Sequence, residues 1–104
     1  MAYNRLTRKL TVENLWMYIL KMLSEKPMYA YEIKRALKER FGFTVATITV
    51  YMVLYKMTRE GLVEKVPVEG DSRRQYYKST KRGLDTLREG LKFLEKTLKT
   101  LSLP

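Results

Sequence analysis

The basic side chains that could bind a polyanion are concentrated in one short stretch of the sequence. Residues 72–82 contain no acidic residue and five basic ones, which are Arg73, Arg74, Lys78, Lys81 and Arg82. Each DNA phosphate that such a side chain neutralises releases condensed counterions, so the stretch is suited to a nucleic-acid backbone. We therefore expect Arg73, Arg74 and Lys78 to contact phosphates. A solvated run of surface charge is the alternative interpretation.

Groups for catalysis or metal binding are scarce by comparison. The chain has no cysteine and no histidine, which excludes disulfide bonds, thiol chemistry, the usual zinc sites and histidine-based acid–base catalysis. Its carboxylates are not clustered, so we expect neither enzymatic activity nor a cofactor. The apolar run Leu15–Leu20 is too short for a signal peptide or a transmembrane span. We therefore expect a cytoplasmic protein with no membrane partner.

The overall charge favours the same kind of partner. The 104 residues suit one domain, and 21 Lys and Arg against 11 Asp and Glu give a net charge of +10. Eight of these ten charges lie in residues 1–12 and 72–82. Residues 1–12 form a basic N-terminal arm, which is either a mobile tail or a segment that reaches an adjacent DNA groove. Double-stranded DNA is therefore a better partner than a membrane surface.

The hydrophobic pattern predicts the elements that hold these residues. Apolar residues at helical spacing predict four helices, over residues 12–25, 29–41, 44–60 and 80–101, with Thr47 as an alternative start of the third. Thr11 is the expected N-cap of the first. Two strands, 62–68 and 73–79, flank a Glu-Gly-Asp-Ser turn. This order predicts a mainly α fold with a small β-hairpin, namely a winged helix–turn–helix in residues 1–79 followed by a C-terminal dimerisation helix in residues 80–104.

The third predicted helix would enter the major groove of DNA. Its Val50, Val53, Leu54 and Met57 form a core face, which turns the opposite face outward. The candidate DNA contacts on the outward face and its flanks are Thr47, Thr49, Tyr51, Met52, Tyr55, Lys56 and Arg59. The hydroxyl groups suit phosphates, and Ile48 or Met52 suits a thymine methyl group. Because the face has no Asn or Gln, it is equally suited to contact a protein.

The last helix carries leucines at alternating spacings of three and four residues, which is the pattern of a coiled-coil seam. They are Leu84, Leu87, Leu91, Leu94, Leu98 and Leu101. The seam predicts a homodimer, and packing against the first helix of its own domain is the alternative. In the dimer we expect the seam to pack near Trp16 in the first helix of the other subunit. Gly90 would permit a close approach between helices.

Two segments of the chain resemble the PadR family of winged-helix transcriptional regulators. The first comprises Lys26–Ile33, Thr49–Tyr51, Leu54 and Glu60–Val63, and the second comprises Arg73–Thr80 and Gly83. The resemblance covers residues 20–90. It implies a dimeric repressor that binds operator DNA, with Tyr51 on the DNA backbone and a single C-terminal helix for dimerisation. It also implies release of the DNA when a small aromatic or hydrophobic effector binds.

The chain departs from the family pattern at two places. Tyr29 and Ala30 stand where the family usually has His-Gly, and Ile48–Met52 stand where it usually has Gly-Thr-Leu-Tyr-Pro. The second difference changes the start and the outward face of the third helix, so base specificity does not carry over from the family. The sequence therefore predicts a homodimeric, sequence-specific DNA-binding regulator. A winged-helix protein-interaction module without specific DNA contacts is the alternative.

Overall fold

The chain folds into five helices and a three-stranded antiparallel sheet, which confirms the predicted winged-helix architecture. The computed structural model describes residues 1–104. The elements are α1 (Ala2–Lys9), α2 (Leu15–Glu25), β1 (Met28–Tyr29), α3 (Ala30–Phe41), α4 (Thr47–Arg59), β2 (Val63–Val68), β3 (Asp71–Ser79) and α5 (Lys81–Thr100). In the sheet β3 lies between β1 and β2. No helix combines the length and the apolar character that crossing a membrane requires.

One cluster of buried apolar side chains lies between α2, α3, α4 and the sheet. It contains 17 residues, and no polar or charged side chain is buried. Ile19 of α2, Ile33 of α3, and Val50 and Leu54 of α4 are fully shielded from solvent. Leu87 belongs to the same cluster, so the first half of α5 packs on this core. The division of the chain after residue 79 into a DNA-binding part and a dimerisation part stays a prediction.

The N-terminal segment differs from the prediction. Residues Ala2–Lys9 form a helix rather than a tail, and the next helix begins at Leu15 instead of residue 12. The prediction that Thr11 caps this helix is wrong, because Asn14 is the N-cap residue. The Thr11 hydroxyl instead donates a hydrogen bond to the carbonyl of Thr7 (2.6 Å). None of the residues of α1 is buried. The helix therefore projects from the core, and its contact with DNA stays a prediction.

The sheet has one strand more than the sequence predicts. Met28 pairs with Tyr77, and Tyr29 pairs with Tyr76. Two residues are too few for the alternating pattern of a strand to be recognised in a sequence. The pairing joins the start of α3 to the hairpin, because Ala30 is the first residue of that helix.

The start of α5 is held against the start of β2. The Thr80 hydroxyl donates a hydrogen bond to the carbonyl of Gly61 (2.6 Å) and accepts one from the backbone N–H of Gly83 (3.0 Å). A Cβ atom at Gly83 would lie 2.1 Å from the carbonyl oxygen of Leu62 and 2.8 Å from Cδ2 of Leu20. Only glycine fits at this crossing, because the nearest atom belongs to the backbone and cannot rotate away.

Substitution of Gly83 by alanine tests this crossing. Alanine favours a helix over glycine by about 1 kcal/mol. We nevertheless expect Gly83→Ala to lose about 3 kcal/mol of unfolding free energy, because the new methyl group forces two backbone segments apart. Urea denaturation followed by circular dichroism measures the change.

Gly90→Ala is the matched control for this experiment. Its Cβ would lie 3.0 Å from the Trp16 indole, a half-buried ring that can shift by a few tenths of an ångström. We expect a smaller loss of stability in this variant. A Gly83→Ala protein as stable as the wild type would contradict the described crossing.

Candidate nucleic-acid interface

The helix–turn–helix unit consists of α3 and α4. Helix α3 ends at Phe41 and is capped by Gly42, whose backbone is left-handed with φ 78°, and residues 43–46 lead into α4. Glycine suits this conformation because it has no Cβ atom. After this turn, α4 places Val50, Leu54 and Met57 in the core, as the helical spacing predicts, and Val53 packs partly buried against it.

The opposite face of α4 is exposed and mostly apolar or aromatic. Ile48 is 66 % exposed, Met52 56 % and Tyr55 63 %. The other candidate DNA contacts of α4 are Tyr51, Lys56 and Arg59, which are exposed, and Thr47 and Thr49, which are half-buried. The Arg59 guanidinium lies 5.7 Å from the centre of the Tyr55 ring, a cation–π contact. This face is accessible to a partner, and its contact with DNA stays a prediction.

Strands β2 and β3 form the wing. Lys65 pairs with Tyr77, and the register of the two strands shifts around Pro67. Proline has no N–H group to donate to the ladder, which accounts for the irregularity. At the base of the wing the Ser79 hydroxyl donates a hydrogen bond to the carbonyl of Leu20 (2.8 Å). The wing is therefore attached to α2 at its base, whereas its tip extends away from the core.

Arg74 is held within the wing by aromatic and acidic neighbours. Its guanidinium donates a hydrogen bond to the Asp71 carboxylate (2.9 Å) and lies 4.8 Å from the centre of the Tyr29 ring. The same carboxylate accepts a hydrogen bond from the Tyr76 hydroxyl (3.0 Å), and the rings of Tyr29 and Tyr76 meet edge to face. We call these four residues the wing cluster. The contacts fix the Arg74 side chain against the body of the protein.

The ionisation of the wing cluster follows from these contacts. The hydrogen bond from Arg74 holds the pKa of the Asp71 carboxyl below its ordinary value, and the Tyr76 hydroxyl acts in the same direction. Burial, and then the hydrogen bond to Asp71, raises the pKa of Tyr76. At neutral pH the carboxylate is therefore charged and the phenol neutral. The stability that the carboxylate contributes is lost as the pH falls through its lowered pKa.

Arg73 and Lys78 have fewer contacts than Arg74. The Arg73 side chain is exposed and makes no ion pair or side-chain hydrogen bond. Lys78 faces Glu64 across the hairpin at 3.7 Å, and both side chains are about half exposed. Exposed pairs of this kind are weak, so Lys78 can exchange Glu64 for a phosphate. Of the three predicted phosphate contacts, Arg73 is the least engaged with the protein and Arg74 the most.

The sequence does not predict that Asp71, Tyr29 and Tyr76 support the wing. Asp71 has a local signal, because an aspartate in a turn often accepts hydrogen bonds from nearby backbone N–H groups. Its Oδ1 accepts them from Arg73 (3.2 Å) and Arg74 (3.3 Å). Tyr29 has no such signal, since the pairing of β1 with β3, which the sequence does not predict, brings its ring to Arg74 and Tyr76.

The two halves of α5 have different surroundings. In the first half Leu84 is half-buried and Leu87 is buried. In the second half Leu94 is half-buried, while Leu91, Leu98 and the C-cap residue Leu101 are exposed, by 50 %, 72 % and 72 %. Trp16 packs against Gly90 of its own chain, so the close approach at Gly90 joins α2 and α5 within one subunit. The roles of Trp16 and the six leucines in a dimer stay predictions.

The exposed leucines continue an apolar groove beside α2. The groove has a volume of about 270 Å³ and is lined by Met17, Tyr18, Lys21, Phe41, Leu87 and Leu91. Because Leu87 and Leu91 line the groove and also belong to the leucine seam, one apolar surface runs from α2 along α5. We call this surface the α5 stripe.

A larger cleft lies between the start of α2 and α4. Its volume is about 440 Å³, and its lining includes Trp16, Val53, Met57 and Lys56. Apolar and charged groups of this kind in a space of this size are typical of small-molecule sites. Lys56 lines the cleft and is also one of the candidate DNA contacts, so the cleft and the exposed face of α4 share a side chain.

Known proteins share this architecture. A family model described as "Transcriptional regulator PadR-like family" matches residues 19–89. The structure of a PadR-family regulator from Eggerthella lenta is similar with a TM-score of 0.75 and 27 % identity, covering 97 % of this chain and 93 % of that one. A PadR-family regulator from Clostridium difficile gives a TM-score of 0.68 and 28 % identity, covering 83 % of this chain and 95 % of that one. RosR from H. salinarum gives a TM-score of 0.63 and 33 % identity, covering 88 % of this chain and 78 % of that one. No curated protein sequence matches the chain.

Substitution of the two neighbouring arginines should separate their roles. We expect Arg74→Gln to lower the melting temperature by a few degrees and to speed hydrogen exchange in β3, because it removes the centre of the wing cluster. Arg73→Gln removes the same charge from a side chain without partners and should leave both properties unchanged. Thermal denaturation and amide exchange measure the two effects. Equal effects of the two substitutions would contradict the structural role of Arg74.

Proposed function

Because the chain belongs to the PadR-like family of transcriptional regulators, we propose that it is a homodimeric repressor that binds operator sequences in double-stranded DNA. One observation carries the proposal. The exposed face of α4 is followed directly by a wing with an unpaired arginine, and no acidic residue lies between Arg40 and Arg59. The repressor role rests on the family resemblance.

In the proposed complex α4 lies in the major groove, with the residues of its first turns nearest to the bases. Tyr51 is exposed and can donate its hydroxyl to a phosphate, and the half-buried Thr47 and Thr49 flank it. Arg73 and Lys78 contact phosphates from the wing. Such contacts position the protein and supply most of the salt-dependent affinity, whereas base contacts supply the specificity.

We place the dimer contact on the α5 stripe. Helix α5 has 20 residues, about 30 Å in length, and its second half carries leucines that its own chain does not cover. Leu87 and Leu101 lie seven residues on either side of Leu94. In an antiparallel pair of α5 helices with a two-fold axis at Leu94, each Leu101 therefore reaches the groove at the other subunit's Leu87. Such a contact is isologous, which suits a closed dimer.

A two-fold dimer presents two copies of α4 to the same side of the duplex. The half-sites that it contacts would be one helical turn apart, roughly 34–36 Å. Selection of genomic fragments by the purified protein tests the proposal, because it yields the operator motif and its symmetry together. An inverted repeat supports the symmetric dimer, and a motif without symmetry would argue against it.

We also propose that the cleft beside Trp16 is the site of a small aromatic or hydrophobic effector. Its apolar lining suits such a compound, and Lys56 offers a route from the cleft to the DNA-binding face. Trp16 is the chain's only tryptophan and lines the cleft, so its fluorescence reports on binding there. We expect simple phenolic compounds to change the fluorescence and to weaken DNA binding. A change in DNA binding with constant fluorescence would place the effector elsewhere.

A protein-interaction module is the second candidate function. It is favoured by the apolar character of the exposed face, where Ile48 and Met52 replace the amide side chains that commonly contact bases. Fluorescence anisotropy with random duplex DNA at low and moderate salt separates the candidates. Salt-sensitive binding in the micromolar range or tighter supports the regulator, and its absence supports the module.

Removal of the wing arginines should change the salt dependence of DNA binding. We expect Arg73→Ala combined with Arg74→Ala to weaken binding equally for all duplexes and to reduce the salt slope by about 1 for each phosphate that is no longer neutralised. Anisotropy titrations over a range of salt concentrations measure the slope. Lys92→Ala with Lys96→Ala removes the same charge from the exposed part of α5 and should change the slope much less. An unchanged slope in the arginine variant would remove the wing from the interface.

Cysteine crosslinking should report on the proposed dimer, because the natural chain has no cysteine. Leu91 and Leu98 are exposed, so cysteine at either position should not disturb the fold. In the antiparallel pair we expect a mixture of Leu91→Cys and Leu98→Cys proteins to form a mixed disulfide dimer efficiently. Each variant alone should crosslink less. Efficient crosslinking of each variant with itself would indicate a parallel pair instead.

A further inference from the structure

The exposed face of α4 has few groups that could form hydrogen bonds with bases. Its sequence, from Thr47 to Arg59, contains no Asn, Gln, Asp or Glu. Lys56 and Arg59 lie near the C-terminal end, and the Arg59 guanidinium rests over the Tyr55 ring. Discrimination by hydrogen bonds normally depends on amide, carboxylate or guanidinium groups placed against base edges. The first two turns of α4 offer only hydroxyl groups for this purpose.

These turns instead expose two apolar side chains on one side of the helix. Ile48 is 66 % exposed and Met52 56 %. They are four residues apart, so they lie one above the other on the same face. The separation along the helix axis is about 6 Å, which is close to two base-pair steps of about 3.4 Å.

The surroundings of this apolar pair favour DNA as the surface that covers it. No acidic residue lies between Arg40 and Arg59, and the wing and its exit, residues 72–82, carry five basic residues. A partner must therefore combine dense negative charge with small apolar groups. The major groove of a duplex provides both, since the C5 methyl of thymine is the apolar group that a base pair presents there.

On the basis of the proposed function, we propose that α4 selects its operator through thymine methyl groups, with Ile48 and Met52 each packing against one methyl in the major groove. The two thymines lie about two base pairs apart in each half-site. The methyl groups then carry much of the sequence discrimination, while the wing holds the phosphates without regard to sequence.

Replacement of thymine by deoxyuridine tests this inference, because it removes the methyl group and keeps the base pairing. The probes are duplexes selected by the protein from a random library, resynthesised with deoxyuridine at one thymine position at a time. We expect two positions in each half-site at which affinity falls about fourfold per methyl removed, since a buried methylene-sized group contributes about this factor. A duplex that carries 5-methylcytosine instead of thymine at such a position keeps the methyl group, so its binding should not be reduced.

Variants assign the methyl groups to side chains. Ile48→Ala should make binding insensitive to deoxyuridine at one of the two positions, and Met52→Ala at the other. Both side chains are exposed, so the fold is kept. Phe93→Ala, which removes a similarly exposed side chain from α5, should retain the full sensitivity.

The possible failures can be told apart. Equal affinity for thymine and deoxyuridine duplexes at every position would overturn the inference and leave the DNA-binding function intact. Unchanged deoxyuridine sensitivity in Ile48→Ala and Met52→Ala would overturn the assignment of the methyl contacts to these residues. A protein that binds no duplex even at low salt would overturn the inference and the proposed function together.

Discussion

The carbonyl oxygen of Leu62 sets how closely α5 can pass the start of β2. The helix crosses there at a distance that excludes even a methyl group at Gly83. Thr80 bridges the same crossing through its hydroxyl. The wing begins on one side of this contact and α5 on the other. The directions of the wing and of the leucine-bearing helix relative to the core are therefore coupled through this crossing.

The sequence predicts the elements whose evidence is local. Val50, Leu54 and Met57 repeat at helical spacing and are buried as that spacing requires, and the exposed face of α4 follows from them. Features that depend on distant residues escape prediction. The two-residue strand β1 exists because β3 pairs with it. The sequence predicts a close approach at Gly90 without identifying which helix is the neighbour, and in the structure the neighbour is Trp16 of α2 in the same chain.

The sequence also does not show which basic side chains are engaged by neighbours within the protein. Arg73 and Arg74 are adjacent and identical in type, and composition alone gives them the same role. Their surroundings separate them, because the side chains of Asp71 and Tyr29 engage the guanidinium of Arg74 alone. A count of basic residues therefore overstates the number that are free to meet phosphates, because Arg74 pairs with Asp71 and Lys78 faces Glu64 within the wing.

Tyr29 connects three parts of the interface. Its backbone pairs with β3, its N–H donates a hydrogen bond to Glu32 in the first turn of α3 (3.2 Å), and its ring lies under Arg74. The hairpin and the helix–turn–helix unit are thus joined before any partner arrives. Association with a rigid surface of this kind loses less conformational entropy than ordering a flexible loop would. The free energy of the contacts with a partner is therefore not reduced by the entropic cost of ordering the wing.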